Sequence, residues 1–316
     1  MRMQFAPQVL PQVLCGPRVE RWRVERDGAV EIVTRVGENA FVNAAGERYE
    51  MASARVLPPC VPSKIICVHL SYSSRGIESR DNPMPTLAPT YFTKPPTALN
   101  AHDSIVIKPA DCQYLNYEGE FAVVIGKVCK NVTPDEAWDY IEGFVPVLDM
   151  GLQDFRDTDQ GSMLRVKGAD GLLPVGAGLV RGVNILEQTL RTYVNGFMVQ
   201  EAVIANELIW GPHYMIADIA RTITLLPGDM ILTGTPAHSR SVNAGDVVET
   251  EITNIGRVRC TIAAGDAPRA AALAVGHAPT DSAEVRRVAL GTDARVRQEL
   301  KDNLERARER TKQDGS

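Results

Sequence analysis

The stretch Leu115-Asn116-Tyr117-Glu118-Gly119-Glu120 sets two acids one residue apart at the mouth of an apolar run, Phe121-Ala122-Val123-Val124-Ile125. In an extended chain residues i and i+2 face the same way, so the two carboxylates lie side by side next to a segment that favours burial. Burying like charges unpaired is costly, so a positive group is expected between them. A third acid, Asp149, closes another apolar run, Gly143-Phe144-Val145-Pro146-Val147-Leu148. Three carboxylates converging at strand ends would make an all-oxygen site. Such a site selects hard cations, Mg²⁺, Mn²⁺ or Ca²⁺, over zinc or copper, and leaves positions open for water and substrate, as a Lewis acid requires. The residues alone admit a second account. The E-x-E pattern is common, and the same acids fit the rim of an exposed strand with Asp149 paired to an arginine.

The elements that must position these acids are mostly short β runs. Residues 17–56 alternate polar and apolar in places, with a turn at Asp27-Gly28, and read as a small N-terminal β unit over residues 1–60. The proline-broken LPPCVPSK follows as a linker, then a strand over Lys64–Leu70 and a polar loop, residues 71–85, open enough to act as a lid. Between residues 90 and 265 Gly and Pro punctuate one β run after another. Thr133 and Glu136 have capping-box spacing with Pro134 at the first helical position, which predicts a short helix to about Gly143. HYMIADIARTITLL is periodic enough for a second helix, and Gly228-Asp229 and Gly245-Asp246 read as turns. The body is therefore mainly β with few helices, a roll, sandwich or barrel rather than a doubly wound sheet. From Asp281 the chain is charge-rich, and Val296, Leu300 and Leu304 recur on one face of a predicted helical tail over 281–316. That tail reads either as a solvated helix or as a partner-binding element.

Composition narrows the class. The 316 residues are 44% hydrophobic with a net charge of −5, an ordinary globular balance with no basic stripe for nucleic acid. Six scattered cysteines without a C-x-x-C pair point to reduced thiols in a cytoplasm and away from zinc. The start is a poor signal peptide, and no apolar run approaches membrane-spanning length.

Five motifs occur in order: YFTKPPTAL (91–99), YEGEFAVVIGK (117–127), VLDMGLQD (147–154), RVKGADGLLPVG (165–176) and ILTGTP (231–236). Together they resemble the fumarylacetoacetate hydrolase family over roughly residues 64–265. The resemblance implies a mixed β-roll core, a homodimer, and a Mg²⁺ or Mn²⁺ ion on Glu118, Glu120 and Asp149, which would be the missing positive charge. It implies that Lys167 is the active-site lysine, suited to donate to an enolate oxygen. It puts Thr235 in a loop that meets a substrate carboxylate, and Lys94 in a substrate-side or structural role. Arg156 and Arg165 become candidates for a distal carboxylate, with ordinary salt bridges the alternative. The substrate class would be a 2-oxo or 2-hydroxydienoic acid, activated through a metal-stabilised enolate.

The chain also departs from the family pattern. Where many members carry N-Y-x-x-H-x-x-E, it reads Ser71-Tyr72-Ser73-Ser74-Arg75-Gly76-Ile77-Glu78. Tyr72 and Glu78 are kept, but Arg75 replaces a histidine and cannot act as a base near neutral pH. His69 is a possible substitute. Gln153 stands where the family has an arginine, which removes a charge from the site wall. If the lid closes, Glu78 is expected to be the proton-transfer group with a raised pKa, and Arg75 to face the substrate rather than pair with Glu78. Loss of the water-activating histidine favours an isomerase or decarboxylase of aromatic catabolism over a C–C hydrolase of an acylpyruvate-type β-diketo acid. A non-catalytic metal-binding member is the alternative of another class.

Overall fold

A computed structural model describes residues 11–78, 87–266 and 279–292, with single positions further on. The chain is mainly β. Its centre is the strand Gly119–Ile125, buried at every position because the sheet is covered on both faces there. This strand pairs antiparallel with Ile141–Leu148 on one side and Met230–Leu232 on the other, and Met230–Leu232 runs parallel to Ile65–His69, whose far neighbour is Thr90–Lys94. Beyond Ile141–Leu148 the same sheet continues through Gly178–Arg181 to Val19–Arg26 and Ala29–Val36. Those last two strands form the expected hairpin, with Asp27 and Gly28 at φ 52° and 79°, the left-handed pair that a tight hairpin turn requires. The N-terminal unit thus keeps a small cluster of its own, Val24, Val33 and Phe41, but shares one eleven-stranded sheet with the rest.

A second, five-stranded sheet, ordered Phe197–Val203, Thr189–Val194, Val247–Ile252, Gly256–Ala264 and Ser104–Lys108, packs across the first. It comes so close to the mouth of the central strand that a Cβ on Gly119 would stand 1.9 Å from Thr192 Oγ1. The residue between the two glutamates therefore has to be glycine, although its backbone is ordinary.

Thr133 and Glu136 do form a reciprocal capping box. The helix Pro134–Ala137 tightens to a 3-10 turn and ends at Tyr140, short of Gly143, because Ile141–Gly143 are drawn into the buried strand. The second predicted helix is Pro212–Ala220. The expected loop at 71–85 is partly helical: Ser73–Glu78 forms an α-helix, and residues 79–86 lie outside the described residues. A tail helix covers Ala283–Leu290, while Val296, Leu300 and Leu304 lie outside the described residues. Among the described residues no helix is long and apolar enough to cross a membrane.

Candidate metal centre and active site

The antiparallel register brings the acids together. Gly119 lies opposite Leu148, so the residue before the one strand meets the residue after the other, and Asp149 N donates to Glu118 O at 2.8 Å. One carboxylate oxygen from each of Glu118, Glu120 and Asp149 lies within 4.8 Å of the others. Glu120 and Asp149 are buried. The exposed-rim account is thereby set aside, and Asp149 meets lysines rather than an arginine. Lys94 Nζ stands 2.6 Å from its Oδ1, and Lys167 Nζ lies 3.0 Å from its Oδ2 and 2.6 Å from Glu118 Oε2.

These pairings set the charges. Burial alone would push the Asp149 carboxyl up, but Lys167 and Lys94 outweigh it and bring it below its usual range. Burial would likewise lower the Lys167 ammonium, yet Asp149 and Glu118 hold it above its usual value. Glu120 is different. Its Oε2 accepts from Gly234 N at 2.6 Å, but burial, then Asp149 and Glu118, push its carboxyl well up. Gly234 can make this approach because it sits at φ 89°, with a Cβ position that would collide with Ser71 Oγ. The oxygen-only donor set and the under-compensated Glu120 charge fit a hard divalent cation.

Glu118 and Glu120 open into a common cleft. His69, Arg75, Gln153, Arg156, Lys167 and Thr235 all line it. His69 ends a strand, and burial, then Arg156, lower its pKa to about 4, so its ring is neutral at ordinary pH. Thr235 Oγ1 accepts from Gln200 Nε2 at 3.0 Å.

Three expectations are corrected, at Tyr72, Glu78 and Arg75, while Lys94 and Arg165 take their structural alternatives. Tyr72 is wholly buried in the main hydrophobic cluster and is not a substrate contact. Lys94 sits behind Asp149, also donating to Met150 O at 3.1 Å, and does not reach the cleft. Arg165 turns away to pair with Asp159 at 3.1 Å. Glu78 has no raised pKa. Burial would raise it, but Arg75, 2.7 Å away, and Arg240 outweigh burial and bring it to about 2. Arg75 therefore does pair with Glu78, because the two stand three residues apart on one helix. Its other edge reaches to 3.7 Å from Glu118. Arg240 was not singled out in the sequence; its only signal is its place just after the Thr235 turn.

The Glu78 cage has a pH signature. A carboxyl lowered on folding stabilises the fold above its unfolded pKa and loses that contribution as pH falls through the folded value. The window runs from about 4.5 down to about 2, and a shift of that size is worth on the order of 3 kcal/mol. Between about pH 5 and about pH 3, the loss of unfolding free energy is expected to be roughly 2 kcal/mol smaller in Glu78→Gln than in the unaltered chain, as read from urea denaturation at both values.

Fold and site together define a mixed β-roll protein with a carboxylate triad, two buried lysines and an arginine-rimmed cleft at one end of the central sheet. The chain belongs to the fumarylacetoacetate hydrolase family: the family model for the fumarylacetoacetate (FAA) hydrolase C-terminal domain matches residues 64–263. A protein of Archaeoglobus fulgidus is 38% identical over 216 residues, 68% of this chain and 85% of its own length. A 4-hydroxyphenylacetate degradation bifunctional isomerase/decarboxylase of Salmonella dublin is 37% identical over 64% of this chain, which spans only 47% of that relative. The solved structure of a 5-carboxymethyl-2-hydroxymuconate delta-isomerase from Mycobacterium smegmatis superposes with a TM-score of 0.71 at 29% identity, covering 78% of this chain and 99% of that one.

Proposed function

We propose that this chain is a metal-dependent enzyme that isomerises or decarboxylates a 2-oxo or 2-hydroxydienoic diacid; the Salmonella relative is named a bifunctional isomerase/decarboxylase and the mycobacterial one an isomerase. The observation that carries the choice is the caging of Glu78 between Arg75 and Arg240. A carboxylate held at about 2 is a very weak base, and an arginine is none, so this pair is unsuited to activating water for hydrolysis. Isomerisation and decarboxylation consume no water; they need a group to polarise the 2-oxygen and a group to move a proton.

Glu118, Glu120 and Asp149 are the residues that would hold Mg²⁺ or Mn²⁺, and the ion would supply Lewis acidity toward the 1-carboxylate and 2-oxygen of such a substrate. Lys167, kept protonated by Asp149 and Glu118, donates to the oxygen on which negative charge develops. His69 offers an unprotonated ring nitrogen at the cleft wall for carrying a proton between carbons. Arg156 meets a second carboxylate. Its Nε stands 3.5 Å from Glu284, and a guanidinium has five N–H donors, enough to serve an acid and a substrate together.

With Mg²⁺ or Mn²⁺ present, the protein is expected to remove the dienol absorbance of 2-hydroxyhepta-2,4-diene-1,7-dioate without liberating pyruvate, and to cleave acylpyruvates far more slowly. Pyruvate release from an acylpyruvate at the higher kcat/KM would replace this reading with C–C hydrolysis. Metal binding without turnover of either substrate would mark a non-catalytic member.

A further inference from the structure

The helix Ala283–Leu290 lies outside the family-matched residues 64–263, yet its Val288 lines the cleft. The helix is fixed at both ends and along one face. Before it, Thr280 N donates to Asp154 O at 2.9 Å and Tyr114 Oη donates to Asp281 Oδ1 at 2.7 Å. Ser282 caps it by accepting from Val285 N at 3.1 Å. Val285 and Ala289, four residues apart, are fully buried, and Ala289 O accepts from Asn116 Nδ2 at 3.4 Å. After it, Gly291 turns at φ 78° so near Arg240 that a Cβ there would stand 2.5 Å from the guanidinium.

The adjacent stripe looks into the site. Glu284 and Val288 are four apart and share a face. Glu284 pairs with Arg156 at 3.5 Å and is held from its other side by Arg287 Nε at 2.8 Å. The carboxylate end of the cleft is held from elsewhere in the chain, by Lys94, Lys167, Gly234 and the edge of Arg75. What the helix contributes is one apolar side chain and one acid that occupies part of a cleft arginine.

We infer that this helix reads the distal end of the substrate: Val288 limits its bulk, and Glu284, by sharing the Arg156 guanidinium, weakens the hold on a second carboxylate. The inference rests on the reading of the cleft as a 2-oxo acid site. Its scale follows from the discrimination of apolar pockets, where one methylene changes binding about tenfold or more.

The test is titration calorimetry of the full chain in Mn²⁺ buffer with three 2-oxo acids: pyruvate, 2-oxohexanoate and 2-oxoadipate. Val288→Phe is expected to weaken 2-oxohexanoate about tenfold more than pyruvate, and Val288→Ala to move that ratio the other way. Glu284→Gln is expected to strengthen 2-oxoadipate several-fold relative to 2-oxohexanoate, since Arg156 is no longer shared. If pyruvate binds but these ratios are unchanged in all three variants, the helix is a structural prop and the inference falls alone. If the unaltered chain binds none of the acids, the functional reading falls and takes the inference with it.

Discussion

Replacing Glu120 by alanine is expected to lower the affinity for Mg²⁺ or Mn²⁺ by more than about 100-fold. Removal of mere outer partners of a metal site already costs about 10–100-fold, and here a ligand itself is lost. Glu120 is a sharper test than Glu118 because of its surroundings. Glu118 is held by Lys167 and approached by Arg75, whereas Glu120 is buried beside two other acids with a backbone N–H as its hydrogen-bond donor. A cation is therefore what its charge lacks. The same argument fixes the sign of the stability change. Without metal, the variant loses an unfavourable buried acid and should melt no lower than the unaltered chain. With Mn²⁺ added, only the unaltered chain should gain in Tm, because binding to the folded state stabilises by mass action. Calorimetric titration of both proteins decides it. Equal metal affinity would dissolve the triad as a metal centre.

The three acids were legible from local pattern, but their reading as a metal triad over an exposed rim rested on the resemblance carried by the five ordered motifs. An E-x-E at a strand mouth and an acid at a strand end state their own geometry. The register that joins them, Gly119 opposite Leu148, is long-range and carries no local mark. Lys94 shows the limit of a motif: it is found where expected, but strand alternation sends it behind Asp149 instead of into the cleft. The errors at Tyr72, Arg75 and Glu78 share one cause, which was reading residues 71–85 as a polar loop. Once Ser73–Glu78 is a helix, Arg75 and Glu78 are spaced to pair, and Tyr72 just before it is free to enter the core. The hairpin at Asp27-Gly28 was readable from turn chemistry, but the joining of its sheet to Gly178–Arg181 was not. Arg240 and Val288 reach the site only through tertiary packing, Arg240 by meeting Glu78 and Val288 from a helix well down the chain.

Lys167→Met is expected to move three quantities in a pattern that separates catalysis from charge balance. The ammonium lies 2.6 Å from Glu118 and 3.0 Å from Asp149 and is almost wholly buried. Removing one partner of a buried pair typically costs about 3–5 kcal/mol, because the other charge is left uncompensated. Lys94 still holds Asp149, so the low end of that range is expected for the metal-free variant, read as a drop in urea midpoint. Metal affinity should move the opposite way, because deleting a positive charge beside three carboxylates deepens the potential that attracts a divalent cation. Saturating Mn²⁺ should therefore restore much of the lost stability. Turnover should stay about 10²–10³-fold below the unaltered chain even then, the usual cost of removing one donor to a developing oxyanion. If Lys167 only balances charge, metal would restore kcat along with stability. A Mn²⁺-saturated Lys167→Met that is stable and fully active would strip this lysine of its chemical role and leave His69 as the residue to test next.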